Sequence, residues 1–193
     1  AAFFCVPLPQ IWRELQKKSA ANIAIFASGG GSNAKKILEY FQNCDAGQVV
    51  LLVSNNPRSG IFAFAEEFQI PAILLSKEQY RDGERLNQLL GDYQIDLLAL
   101  AGYLKLIPLH TVQQYAGRII NIHPSLLPAY GGKGMYGIRV HQAVIANQEK
   151  VSGITIHFVN EVYDKGEVIL QQSLEVQEDW TAEMLQKEVL KLE

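Results

Sequence analysis

Cysteine is scarce in this 193-residue chain: Cys5 and Cys44 are the whole supply, and no CxxC pair occurs. No disulfide framework is built in, so a reducing, cytoplasmic setting is the expectation. An uninterrupted apolar run of eighteen residues is also lacking, which excludes a helical membrane span. Positive charge is not in excess; the formal charge of −3 argues against a nucleic acid held on a basic face. The apolar stretch Ala1 to Val6 has no basic residue ahead of it and is soon broken by Pro7 and Pro9, so it does not read as a signal peptide. His110, His141 and His157 have no acidic or cysteine partners at ligand spacing, and no metal is expected. What remains is the composition of a soluble globular enzyme, 48% hydrophobic and 19% charged, in a chain long enough for one large domain.

Residues 1–20 read as an N-terminal extension, native or added, in which Ile11 to Lys18 could make two helical turns. From Asn22 a strand–turn–helix unit begins and recurs. Its strands are Ile23 to Ala27, Val49 to Val53, Ala72 to Leu75, Leu97 to Ala101 and the stretch up to His123. The helices between them are Ala34 to Phe41, Ile61 to Phe68, Tyr80 to Tyr93 and Leu109 to Tyr115. Near-continuous apolar strands alternating with helices predict an α/β fold with a doubly wound, mostly parallel sheet. Beyond them the pattern predicts a glycine-rich loop from Leu126, a helix Val140 to Asn147, then strands Val151 to Val159 and Val168 to Gln172, antiparallel to each other. The last helix, Thr181 to Glu193, turns Met184, Leu185, Val189 and Leu192 inward and ends without a closing cap, as if the native chain continued. Residues 21–193 are expected to form a single domain.

Sheets of this class bind ligands outside the carboxyl ends of their strands, and three constellations fall there. At Asn121-Ile122-His123-Pro124-Ser125, Asn121 and His123 share a strand face, and Pro124 ends the strand. A carboxamide donor beside an imidazole is what a reaction through a tetrahedral oxyanion needs. The turn Ser28-Gly29-Gly30-Gly31-Ser32-Asn33 lets amides at a helix start approach an anion, with Ser32 and Asn33 as N-cap types. It lacks the lysine of a nucleoside-triphosphate loop and the full dinucleotide pattern, so a phosphate monoester fits best. The apolar loop Ala101 to Pro108 could line a slot for a flat aromatic ligand. Asp164, in the turn Tyr163-Asp164-Lys165-Gly166, could favour a charged imidazole if it lies close to one.

Asn121-Ile122-His123-Pro124-Ser125-Leu126-Leu127-Pro128 resembles the signature of the folate-dependent formyltransferases, and the chain is similar to that family from about Asn22 to its end. Asp164 matches the aspartate that completes an Asn/His/Asp set there. The glycine turn narrows the resemblance to the branch that formylates glycinamide ribonucleotide in purine biosynthesis. The resemblance implies a Rossmann-like formyltransferase fold, 10-formyltetrahydrofolate as co-substrate, and catalysis by Asn121, His123 and Asp164. It implies that Gly31, Ser32 and Asn33 hold the substrate phosphate. Tyr103, Leu104, Lys105, Leu106 and Ile107, with Asn160, Glu161, Val162 and Tyr163, would flank the folate. Ile122 and Pro124 would lie beside the reacting centre, and Glu193 would contact the ribose. The implied partners are the two small molecules, with no nucleic acid and no membrane, and a homodimer is left open. The loop Gly132 to Gly137 is longer and richer in glycine than the family pattern.

Two relatives of that activity stand beside it. Transfer to methionyl-tRNA calls for a further domain and a basic surface, and formyltetrahydrofolate hydrolysis for an N-terminal regulatory domain. A nucleotide-binding module without catalysis would leave Asn121, His123 and Asp164 unexplained.

Overall fold

A computed structural model describes residues 20–193; the expectations for the N-terminal extension, including its helical turns, fall outside the described residues. Seven strands among them form a mostly parallel α/β sheet with antiparallel strands at the C-terminal end, as expected. The chain divides into two compact units, one reaching to Ile120 and one running Asn121–Glu193.

The first unit contains β1 (Ala21–Phe26), α1 (Ser32–Phe41), β2 (Gly47–Ser54), α2 (Ile61–Phe68), β3 (Ala72–Leu74), α3 (Gly83–Asp92), β4 (Leu97–Leu100), α4 (Leu109–Gln114) and the start of β5 (Ile119–His123). β1 pairs in parallel with β2 on one side and β4 on the other, with Ile25 opposite Leu52 and Ala99. β2 pairs in turn with β3. The order β3-β2-β1-β4 therefore reverses direction between β1 and β4. That makes the carboxyl ends of these two strands the topological switch point, where sheets of this kind open a crevice. Ile23, Ile25, Leu52, Leu97 and Ala99 are buried, with Leu38 of α1 and Ile61 of α2 packed among them. Strands covered on both faces have no place for polar alternation, which is why their sequences read as continuous apolar runs.

In this first unit two helices begin elsewhere than the apolar pattern indicates. α3 starts at Gly83, not Tyr80, because the Asp82 carboxylate accepts from the amides of Glu84 and Arg85 and caps it there. α1 starts at Ser32 with Gly31 as its N-cap at φ 79°, and no side chain caps it; the N-cap role expected of Ser32 and Asn33 is not taken up.

The second unit holds the end of β5, α5 (Ile138–Ala146), β6 (Val151–Phe158), β7 (Val168–Glu175) and α6 (Ala182–Leu192). β6 and β7 are antiparallel, with Ile154 opposite Gln172. Val144, Ile154, Val176, Leu185 and Val189 form its core, with Ile122 and Leu192 packed on it. The Thr181 hydroxyl accepts from the Met184 amide and starts α6. Met184 itself is exposed, not inward as its spacing suggested: a residue beside the cap lies at the rim of the buried stripe.

Candidate active site

Asn121, His123 and Asp164 meet inside the second unit. β5 is extended through His123, so Asn121 and His123 share a face; His123 is buried and Asn121 half-buried. Asp164 sits at φ 50° in the turn after β6, a left-handed conformation that aspartate tolerates better than most residues. One carboxylate oxygen lies 3.7 Å from His123 Nδ1, and the other 3.6 Å from His157 Nε2. The first oxygen also accepts the Gly132 amide at 2.7 Å. Glycine is needed just before that contact, since a Cβ at Gly131 would press on Leu127 and on Asp164. The opening of the glycine-rich loop therefore closes onto the aspartate.

The ring roles follow from fixed partners. His123 Nε2 donates to the Tyr130 carbonyl at 2.8 Å, which leaves Nδ1 as the nitrogen facing Asp164. At 3.7 Å that pair is within ion-pair range and beyond a hydrogen bond; such contacts commonly tighten in the substrate complex. His157 Nδ1 donates to the Phe158 carbonyl at 2.8 Å, so its Nε2 accepts from the Asn121 carboxamide at 3.1 Å. Burial pushes the His157 pKa down, more than the Phe158 carbonyl and the Asp164 charge push it up. The neutral ring that can accept from Asn121 is the favoured form, and it aims the carboxamide.

The loop after His123 is tied from β6 and β7. The buried Thr155 hydroxyl donates to the Ser125 carbonyl at 2.7 Å and accepts the Leu127 amide at 3.0 Å. Gln171 Nε2 donates to the Leu127 carbonyl and to Thr155 Oγ1. On α5, His141 is buried with no hydrogen-bond partner at Nδ1. Burial first, and the charge of His123 second, hold its pKa down at about 4.

In the first unit the glycine turn leaves β1 and enters α1. Gly29 and Gly30 are exposed, and a Cβ on either would meet nothing within 4 Å. At Gly31, with its positive φ, a Cβ would press on Phe64 and Ile61. No side chain caps the start of α1, so the first turn of the helix follows directly on this exposed backbone, and helix starts are places where an anion can be received. Across the switch point, Tyr103 and Ile107 are turned in while Leu104 and Leu106 are half exposed. Tyr103 sets its ring edge against Phe26, centroids 5.3 Å apart, and burial pushes its phenol pKa up.

A family model described as formyl transferase matches residues 21–193. The chain belongs to the formyl transferase family. It is 44% identical over 192 residues to a protein from Arabidopsis thaliana named phosphoribosylglycinamide formyltransferase, chloroplastic, covering 94% of this chain. The chain spans 66% of that relative's length, just under two thirds. It is 38% identical over 176 residues to the phosphoribosylglycinamide formyltransferase of Bacillus subtilis strain 168, covering 88% of this chain and 87% of that protein. Among solved structures it resembles glycinamide ribonucleotide transformylase 1 from Symbiobacterium toebii, with a TM-score of 0.81 at 29% identity over 91% of this chain and 82% of that one.

The remaining residues that the sequence points to occupy varied settings. Ile122 packs on the second unit's core and Pro124 is half-buried. Asn160, Glu161, Val162 and Tyr163 form an exposed turn in which the Asn160 side chain accepts the Val162 amide at 2.9 Å. Glu193 follows the last turn of α6, its amide bonded to the Val189 carbonyl. His157, Thr155 and Gln171 were not singled out. Their one sequence signal is polar residues in strands that otherwise read apolar, Thr155 and His157 two apart on one face. No group of three His, Cys, Asp or Glu able to hold a metal occurs among the described residues, and no helix among them is long and apolar enough to cross a membrane.

Proposed function

We propose that the protein transfers the formyl group of 10-formyltetrahydrofolate to the amine of glycinamide ribonucleotide, with residues 21–193 acting as the transfer domain. The meeting of Asn121, His123 and Asp164 around one point carries the reading. The names of the relatives from Arabidopsis thaliana and Bacillus subtilis support the choice of substrate. The glycinamide nitrogen attacks the formyl carbon, a C–N bond forms, and the carbonyl oxygen becomes an oxyanion. Asn121 uses the N–H not given to His157 to donate to that oxygen, and His123 offers Nδ1 as proton donor. Collapse breaks the bond to folate N10, which receives the proton that the amine loses. Gly31, Ser32 and Asn33 bind the phosphate. Tyr103 to Ile107 and Asn160 to Tyr163 flank the folate, Ile122 and Pro124 line the reacting centre, and Glu193 contacts the ribose. The partners are these small molecules.

A folate assay tests the reading. Tetrahydrofolate should appear from the formyl donor only when glycinamide ribonucleotide is present. Release without it indicates hydrolysis, and no release indicates a binding module; either result removes the assignment. Asn121→Ala and His123→Ala should each lose turnover by about 10² or more while still binding both ligands. A variant within about threefold of wild type would take that residue out of the chemistry. On location, the cytoplasmic expectation competes with the plastid named for the Arabidopsis relative; cell fractionation with an antibody to this chain separates them.

A further inference from the structure

The structure assigns Ser28 a role as a positioning residue that couples two ligand loops at the switch point, so that substrate and folate tighten each other's binding. The inference rests on the functional reading above, with phosphate at Gly31 to Asn33 and folate against Tyr103 to Ile107. Ser28 is the second residue beyond β1, is buried, and uses its backbone and hydroxyl toward the exits of two other strands, β2 and β4. Its amide donates to the Gly102 carbonyl at 3.1 Å. Its hydroxyl accepts the Leu104 amide at 2.9 Å and donates to Asn55 Oδ1 at 2.6 Å. Its carbonyl accepts from Asn56 Nδ2 at 2.7 Å.

The glycine turn leaves directly from this residue, and Leu104 stands within the folate loop. Because Asn55 takes the hydroxyl proton, the oxygen's lone pairs are left for the Leu104 amide, and the loop has one favoured seat. An anion that orders residues 29–33 fixes Ser28, and Ser28 fixes Leu104. A folate that orders 103–107 acts back through the same bond. The second ligand then meets a loop already ordered and loses less freedom on binding, which is positive coupling and is reciprocal. The Phe26–Tyr103 ring contact holds the strand exits together without the hydroxyl. Removing that hydroxyl should therefore cut the coupling and leave the fold.

Calorimetric titration decides it, using glycinamide ribonucleotide and tetrahydrofolate, a pair with no formyl group to transfer. In wild type each ligand should lower the other's Kd by a common factor of about 5 or more. In Ser28→Ala that factor should fall to within about twofold of one, with a native thermal melt and smaller changes in each Kd measured alone. Asn55→Ala keeps the hydroxyl but frees its orientation, so the factor should fall part-way; it carries the decision if Ser28→Ala does not fold. A wild-type factor of one, or a full factor in either folded variant, overturns the coupling with the functional reading intact. Wild type that binds neither ligand alone overturns that reading and the coupling with it.

Discussion

Asn121 and His157 are joined by a 3.1 Å hydrogen bond in which the carboxamide donates to a buried, neutral ring. The orientation of the carboxamide that we propose donates to the oxyanion is therefore held by a residue 36 positions on in the chain. His157→Ala should lower kcat by about 10- to 100-fold with KM for both ligands nearly unchanged, since a donor displaced by about 1 Å loses that much. His157→Gln, which can present an oxygen acceptor, should recover part of the loss. Equal kcat in His157→Ala and wild type would reduce the ring to packing.

Asp164 can be neutralised without losing its seat, because the carboxamide introduced by Asp164→Asn retains an oxygen for the Gly132 amide. That variant should lose turnover by about 10² while folding normally. The carboxylate charge is one of the influences raising the His157 pKa. Removing it should shift the His157 titration to lower pH, which an NMR titration of the ring carbons reads directly. A midpoint that stays put, or moves up, contradicts the contact.

The proposed phosphate contact of the glycine turn is best probed at Gly30. Gly31 is a poor choice because its positive φ and its closeness to Phe64 would strain any side chain there. Gly30→Ala meets no protein atom, so its melting temperature should match wild type. If the phosphate lies on this backbone, the added methyl should raise KM for glycinamide ribonucleotide by about tenfold or more and leave Kd for folate alone unchanged. An unchanged KM would put the phosphate elsewhere.

His141 gives a stability test independent of activity. Its pKa falls from an ordinary 6.5 to about 4 in the folded protein. Between these values the unfolded chain takes up a proton that the folded one refuses. Its contribution is thus intact above about pH 6.5, and stability is lost as pH falls toward about 4. His141→Phe lacks this uptake. Urea unfolding between pH 4.5 and 7 should show wild type losing stability with falling pH more steeply than the variant, by up to about 1.4 kcal/mol per pH unit. Parallel pH profiles would show that His141 titrates alike in both states.

The sheet was legible because strands buried on both faces must be apolar along their whole length, as Ile23 to Phe26 and Leu97 to Leu100 are. Asn121 and His123 were legible through a two-residue period and a proline stop, both local signals. The start of α3 was misplaced because a single carboxylate, Asp82, outweighs the apolar period around Tyr80. His157 escaped because its role comes from a neighbour distant in sequence, and no local pattern records a hydrogen bond across 36 residues. The proximity of Asp164 to two histidines likewise depends on the turn after β6 and on the Gly132 amide, neither of which spacing can show.

The glycine turn is also shaped from outside itself. Ser59 Oγ donates to the Gly29 carbonyl at 3.0 Å, the Gly60 amide donates to the same carbonyl, and a Cβ on Gly60 would run into the Gly30 carbonyl. The turn is thus a two-piece part whose clamp lies 30 residues downstream of the grip. Grafting residues 28–33 into another strand–helix scaffold would transplant the grip without the clamp, and if the turn holds phosphate as proposed, a portable site would have to carry the Ser59-Gly60 corner along with it.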